Sequence, residues 1–168
     1  LIDHFGITDQ VAISINGLGK AFGCYGAFVA GQKILIDFLL QKSRSLMFTT
    51  ALPPLMLTAI DAALPLVMRG DLQTKLFDNV SYLTHKLAAF ELVQPHAHVS
   101  PIIPIILGEN SRTQTVAHDM LEAGFDIRAI RPPTVPEGQA RLRITARAGH
   151  SRELMDGFVN QLREFVCL

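Results

Sequence analysis

The chain has 168 residues, of which 49% are hydrophobic and 18% charged, and its 15 basic and 15 acidic side chains give a formal net charge of zero. This apolar content excludes intrinsic disorder, and the balanced charge argues against a general nucleic-acid binder, which needs a basic face. The apolar runs are shorter than a bilayer span and the 2 cysteines are too few for a disulfide framework, so we expect a cytoplasmic protein without membrane partners.

The first 70 residues predict two short strands, a glycine-rich loop and two helices. Residues 11–15 are a β-branched run that ends at Asn-Gly, which indicates a buried strand, and a second strand is expected over 27–30. Apolar residues then recur at helical spacing over 32–42. Residues 46–50 predict extended chain, and the two following prolines open a helix in which Pro65 should cause a kink or a break.

A second lobe is predicted after Arg69-Gly70. It begins with a helix over 72–90, and strands at 102–107, 126–130 and 142–145 then alternate with helices that start near positions 110 and 151. Asn110 or Ser111 is the expected N-cap, and Gly124 suits the left-handed position that ends a helix. The chain therefore predicts an α/β or α+β protein in two parts, the first over 1–70 and a C-terminal lobe over 71–168.

Glycines surround Lys20, directly after the first predicted strand. A phosphate-binding loop is excluded because its required Gly and Ser/Thr positions hold Ser14 and Ala21, and the GxGxxxG spacing does not match a dinucleotide fingerprint. A lysine held between glycines at the end of a buried strand should be partly desolvated, and a neutral amine can form a Schiff base with an aldehyde cofactor. From these residues alone, an ordinary surface-loop lysine is the alternative.

Three segments resemble the α-oxoamine synthases, pyridoxal-phosphate (PLP) enzymes that join an amino acid to an acyl thioester with loss of carbon dioxide. NGLGKAFG at 16–23 is similar to the family's lysine motif, which usually reads GTLGKAFG. FTTALPP at 48–54 resembles the segment that reaches the phosphate site of the partner subunit. IRPPTVPEGQARLRI at 130–144 is similar to the member of the family that condenses L-alanine with a pimeloyl thioester to make a biotin precursor.

The resemblance implies a fold-type I PLP-dependent transferase that forms a homodimer. Residues 1–70 would be the C-terminal end of the PLP-binding large domain, and 71–168 the small α+β domain. The implied substrates are L-alanine and pimeloyl-CoA or a pimeloyl-carrier protein. Because the family's pyridine-binding aspartate and ring-stacking histidine lie upstream of the lysine, we expect an incomplete fragment that is inactive alone. A sister enzyme that uses glycine and acetyl-CoA, and a non-catalytic homologue, are the alternatives.

The resemblance also implies roles for five residues. Lys20 would hold the cofactor as a Schiff base and move the α-proton of the amino acid, with Gly19 as a further cofactor-binding position. Thr50 would donate to the cofactor phosphate across the dimer interface, or cap the following helix. Arg143 would bind the substrate carboxylate through its forked N–H groups. Arg131 would contact the acyl carboxylate or a coenzyme phosphate, or brace the proline loop.

One position departs from the family. A Thr or Ser usually stands where this chain has Gly17, so one hydrogen bond to the cofactor phosphate, worth about 1 kcal/mol, would be absent unless Asn16 replaces it.

The remaining candidates are weaker. His96 and His98 alternate as in some metal sites, but with no third ligand in view we predict no metal. Cys24 has no His partner in the sequence and is expected to be a buried thiol, and His150 is expected to be structural.

Overall fold

The computed structural model describes residues 2–93 and 100–166, so that His96 and His98 lie outside the described residues. The chain divides into two compact units, Leu1–Gly70 and Asp71–Leu168, here called the first and second unit. Both contain helices and antiparallel strands, which confirms the mixed α/β class. Within the described ranges, no helix combines the length and the apolar character needed to cross a bilayer.

The first unit consists of a two-stranded antiparallel ribbon followed by helices. Its elements in chain order are a 3₁₀ turn Thr8–Gln10, strands β1 (Ile13–Gly17) and β2 (Ala27–Gly31), and helices α1 (Lys33–Lys42), α2 (Arg44–Met47) and α3 (Pro54–Arg69). The ribbon pairs Ile13 with Gly31 at its open end and Gly17 with Ala27 at the loop. The loop that carries Lys20 therefore joins two paired strands.

The prediction that the first strand is buried is wrong. The last three residues of β1 are exposed, and the side chain of Ile15 is 73% exposed. The physical reason is that β1 pairs with β2 alone among the described strands, and a two-stranded ribbon covers little apolar surface. The apolar side of α3 is also open, with Leu55 73% exposed.

Two local predictions in this unit also need correction. Leu46 and Met47, predicted as the start of extended chain, lie instead in the short helix α2, because their N–H groups donate to the Ser43 carbonyl at 3.1 and 2.9 Å. Pro65 does not break α3, which continues to Arg69 and ends at Gly70 with φ of 73°. A proline removes only one backbone hydrogen bond from a helix, and the turns before and after Pro65 remain helical.

The second unit is a three-stranded antiparallel sheet with helices packed on one face. Its elements in chain order are α4 (Asp71–Ala88), β3 (Ile102–Gly108), α5 (Asn110–Glu122), β4 (Arg128–Ile130), β5 (Ala140–Thr145) and α6 (Arg152–Val166). The strand order is β3-β5-β4, so β5 is central. Both partners of β5 run antiparallel to it.

Alternation along β5 sets the two faces of this sheet. Ala140, Leu142 and Ile144 are buried, whereas Arg143 and Thr145 are exposed. Period-two alternation of this kind is typical of a sheet with one covered face. The covered face packs against a continuous cluster from all three helices, which includes Leu83, Leu87, Val116, Met120, Phe158 and Leu162.

The ends of α5 differ partly from the prediction. Glu109, not Asn110 or Ser111, is the N-cap, and its carbonyl accepts from the Thr113 N–H at 3.1 Å and from the Thr113 hydroxyl at 2.7 Å. Gly124 follows α5 with φ of 90°, which confirms its left-handed position. The Phe125 N–H donates to Met120 at 2.8 Å and so ties this segment to the helix end. β4 begins at Arg128 rather than at position 126.

Candidate active site

The loop between β1 and β2 is held closed by its own backbone. Leu18 and Gly26 join its two ends through an N–H···O bond of 2.9 Å, and the Cys24 N–H donates to the Leu18 carbonyl at 3.0 Å. A third bond, from the Gly23 N–H to the Lys20 carbonyl, is 3.0 Å long. Lys20 therefore lies in a turn with a fixed backbone.

Lys20 itself is exposed, not partly desolvated as predicted. The side chain that fills the inside of the loop is Leu18, which is only 4% exposed. Within the described chain, no hydrogen bond or ion pair engages the Lys20 amine. A primary amine on a fixed, glycine-bordered turn fits the PLP implied by the resemblance, because its aldehyde needs an amine with no competing partner.

The glycines of the loop have different reasons to be glycine. Gly23 and Gly26 have φ of 60° and 111°, a region that other residues rarely adopt. A Cβ at Gly19 would lie 3.6 Å from the Cys24 carbonyl oxygen, and one at Gly17 would meet nothing within 4 Å. There is thus space at position 17 for the Thr or Ser found in the family. Asn16, its suggested replacement, already donates to the Ser14 hydroxyl at 2.7 Å.

The segment that carries Thr50 packs against the Lys20 loop through Leu52. A Cβ built on Gly26 would lie 3.0 Å from Leu52 Cδ1 and 3.8 Å from Leu18 Cδ1. Thr50 is exposed and does not cap α3. The N-cap residue is Pro53, and no side chain forms a capping hydrogen bond at the start of this helix. The capping alternative for Thr50 is therefore wrong, and its hydroxyl is available for another acceptor.

Arg143 lines a cavity of about 540 Å³ in the second unit. Its neighbour across the sheet is Arg128, which stands in register with it where β4 pairs with β5 and lines the same cavity. Arg147 and His150, in the turn that follows β5, form another part of the wall. Apolar side chains complete it, among them Phe125, Ile127, Leu154 and Phe158.

The cavity is cationic on its polar side. Arg128 pairs with Asp126 at 3.1 Å, and both side chains are exposed, so this ion pair offsets part of the Arg128 charge. Burial lowers the pKa of His150 below its usual value, and the positive charge of Arg147 lowers it further. The neutral form of His150 is thereby favoured, and the guanidinium groups dominate the charge of the wall.

The turn that carries Arg147 and His150 is anchored by Asn79, a buried residue of α4. The Asn79 amide donates to the carbonyls of Arg147 and His150 at 2.9 and 3.0 Å. The His150 N–H also donates to the Arg147 carbonyl at 3.2 Å. This side of the cavity therefore has a backbone fixed from the protein interior.

Arg131 is exposed and is not part of the cavity wall. Its carbonyl accepts the Thr134 N–H at 3.0 Å, a bond that closes a turn in the proline loop. Cys24 is half-buried, and its thiol donates to the Phe22 carbonyl at 3.2 Å. Among the described residues, no cluster of His, Cys, Asp and Glu could hold a metal ion.

Sequence reasoning missed Arg128, Arg147 and Asn79. The signal for Arg147 was present, because it continues the period-two series of Arg143 and Thr145. Arg128 lies opposite Arg143 because of the register between β4 and β5, which could not be predicted from the sequence. Asn79 acts across 68 positions of the chain, so no local pattern could have indicated it.

Three comparisons with known proteins relate this chain to a known family and fold. A family model described as aminotransferase class I and II matches residues 3–162. A protein of Saccharophagus degradans named 8-amino-7-oxononanoate synthase is 45% identical over 98% of this chain, which spans 42% of that protein's length.

Two solved structures share the fold. A structure of SPT with PLP superposes with a TM-score of 0.87 at 21% identity, over 98% of this chain and 42% of that one. The 8-amino-7-oxononanoate synthase of Francisella tularensis gives a TM-score of 0.79 at 26% identity, over 91% of this chain and 45% of that one.

Proposed function

We propose that this chain, which belongs to the class I and II aminotransferase family, is part of a cytoplasmic PLP-dependent acyltransferase of biotin biosynthesis. The reaction condenses L-alanine with a pimeloyl thioester, carried by coenzyme A or a carrier protein. A carbon–carbon bond forms between the alanine α-carbon and the acyl carbonyl, the carboxyl group of alanine leaves as carbon dioxide, and the thiol carrier is released. The product is 8-amino-7-oxononanoate, the compound in the name of the 45% identical relative.

The first unit supplies the cofactor site in this proposal. When bound, PLP supplies an electron sink for the negative charge that develops at the α-carbon of the amino acid. Lys20 would hold the cofactor through its aldehyde group, and Gly19 would leave room for the ring beside the loop backbone. Thr50 donates its hydroxyl to the phosphate, in a homodimer whose partner completes the site. The exposure of the Lys20 side chain supports its role, and the Thr50 role is supported by a hydroxyl that does not cap α3.

The second unit supplies the substrate site. Arg143 binds both oxygens of the alanine carboxylate, and this fixes which bond at the α-carbon is aligned for cleavage. The Lys20 amine then takes the proton from that carbon and later returns one to the product. Arg131, outside the cavity, is assigned to the phosphates of the acyl carrier. Accordingly, residues 1–70 belong to the large PLP-binding domain and 71–168 form the small domain.

The position of Arg143 on a cavity wall carries this proposal. A carboxylate-binding arginine must face space that a small molecule can enter, and Arg143 meets this condition.

The test uses the full-length protein loaded with PLP, L-alanine and pimeloyl-CoA, with mass spectrometry of the product. We expect 8-amino-7-oxononanoate, and at least a thousandfold loss of its formation in Lys20→Ala. Lys42→Ala, which removes another exposed lysine of the first unit, is the matched control and should retain activity. Product from glycine and acetyl-CoA instead, or wild-type activity in Lys20→Ala, would refute the proposal.

A further inference from the structure

The proposed reaction brings two carboxylates into one site, and this inference rests on that proposed function. One belongs to alanine, and the other ends the acyl chain, because the product is a nonanoate whose carboxylate lies at the opposite end from its amino and oxo groups. A single guanidinium that binds one carboxylate through both oxygens is not free to bind the second. A second cationic group is therefore required if the enzyme distinguishes a dicarboxylic acyl chain from a simple fatty acyl chain.

We propose that Arg147 binds the terminal carboxylate of the acyl chain and selects acyl substrates that end in an anion. Arg147 lines the same cavity as Arg143 and follows it by four positions along the chain. The sheet pattern extends past β5, since the Ala146 N–H donates to the Pro101 carbonyl at 2.8 Å. Arg147 therefore directly follows the last bond of the sheet and opens the turn at 148–149.

The spacing of the two arginines suits the two carboxylates. Four residues of extended chain separate Cα atoms by about 13 Å, and flexible arginine side chains shorten or lengthen that distance between guanidinium groups. Eight carbon–carbon bonds join the alanine carboxylate to the acyl carboxylate, a span of roughly 10 Å when the chain is extended. One ligand can therefore reach both groups at once.

The apolar wall of the cavity suits the methylenes between the two ends. Phe125 and Phe158 meet edge to face with centroids 5.5 Å apart, and Ile127 and Leu154 also line the cavity. Such a wall contacts a chain of methylene groups without hydrogen bonds and leaves recognition to the charged ends. The ligand class is thus an acyl chain with an apolar middle and an anionic end.

Arg147 is a better candidate than the other cations of this unit. Arg128 pairs with Asp126 at 3.1 Å, whereas in the described part of the chain no carboxylate lies within ion-pair distance of Arg147. The Asn79 amide holds the Arg147 carbonyl at 2.9 Å, so less backbone freedom remains to be lost when a ligand binds Arg147. Arg131 lies outside the cavity.

The experiment compares Arg147→Met with wild-type full-length holoenzyme in two assays. In the first, isothermal titration measures binding of heptanedioate and of heptanoate, which lacks the second carboxylate. We expect at least a tenfold loss of heptanedioate affinity in Arg147→Met and little change for heptanoate. In the second, the KM for pimeloyl-CoA should rise at least tenfold, the KM for alanine should stay within twofold, and the preference over heptanoyl-CoA should disappear.

Two further variants control the result. Arg163→Met removes a guanidinium from the same unit that stacks on Phe90 outside the cavity, and it should leave both ligands unaffected. Arg147→Lys keeps the charge and should retain part of the preference for heptanedioate. Unchanged heptanedioate affinity in Arg147→Met, or an equal loss for both ligands, would overturn the inference. The proposed function fails if alanine and pimeloyl-CoA give no product. The titration needs no turnover, so it tests Arg147 even in that case.

Discussion

Arg128 and Arg143 stand directly opposite each other where β4 pairs with β5, and both line one cavity. Like charges in such a cross-strand position are destabilising, and the exposed Asp126 offsets only part of this repulsion. The pair is understandable if an anion lies between or beside them during function.

Replacing Arg128 should therefore stabilise the protein in the absence of ligand. For Arg128→Thr we expect a gain of about 0.5 kcal/mol in the free energy of unfolding, because cross-strand repulsion is relieved and a β-branched residue suits the strand. Urea unfolding measures this gain. The matched control is Arg141→Thr. Arg141 stands opposite Ile106 and Ile130, so its removal relieves no cross-strand repulsion, and it also removes the guanidinium bonds to Gln139, so no gain is expected. A loss above 1 kcal/mol in Arg128→Thr would contradict this explanation.

Asn79 should matter both to stability and to the cavity. Asn79→Ala removes the amide that donates to the carbonyls of Arg147 and His150, and we expect a loss of about 1–3 kcal/mol because the hydrogen bonds that tie this turn to α4 are lost. The released turn should also weaken heptanedioate binding. Thermal unfolding and titration of the same samples check both effects.

A control for that experiment is Thr84→Val, which changes another buried polar residue of α4. Its hydroxyl oxygen is buried without a partner among the described residues, so its removal should cost little and should leave heptanedioate binding unchanged. Equal effects of the two substitutions on binding would show that Asn79 does not position the turn.

The contact between α4 and α6 should weaken in acid. The Tyr82 hydroxyl donates to Asp156 at 2.7 Å, and Lys86 pairs with the same carboxylate at 2.9 Å. The hydrogen bond from Tyr82, and then that from Lys86, lower the pKa of Asp156 below its usual value of 3.8. Since the folded pKa is the lower one, this stabilisation is complete above 3.8 and is lost as the pH falls through the folded value.

A double-mutant cycle with Asp156→Asn and Tyr82→Phe tests this pH dependence. We expect the coupling free energy from urea unfolding to be positive at pH 6 and to shrink below pH 3. The ion pair of Lys86 with Asp156 should be lost in base. Because the pKa of Lys86 is raised in the folded protein, its stabilisation is complete below pH 10.5 and is lost as the pH rises through the folded pKa. A coupling that is constant from pH 6 to pH 2.5 would contradict the assignment.

The second unit could be predicted well from sequence because its signals are local. Alternation at positions 140–145 and helical spacing in α6 both report one covered face, and the structure buries Leu142, Ile144 and Phe158 there. The predicted fold-type I transferase class is confirmed by the structures that superpose over 98% of the chain. The roles of Lys20, Gly19, Thr50, Arg131 and Arg143 stay predictions.

The first unit was predicted less well because burial there does not follow from the local pattern. An apolar run such as 11–15 indicates a strand, yet whether it is covered depends on neighbours, and β1 has one strand partner among the described residues. Similarly, Leu18 rather than Lys20 fills the loop, since which side chain turns inward depends on the hydrogen bonds that close it. The spacing of residues alone therefore predicts neither the exposure of β1 nor the inward position of Leu18.

A chain with no net charge can still attract anions from a distance. Here the guanidinium groups of Arg143 and Arg147 concentrate positive potential at one concave surface, where the low-dielectric wall focuses it. The encounter rate of an acyl substrate with an anionic end should therefore fall as ionic strength rises, while that of zwitterionic alanine should hardly change. Local geometry, not overall composition, decides the electrostatic steering of this molecule.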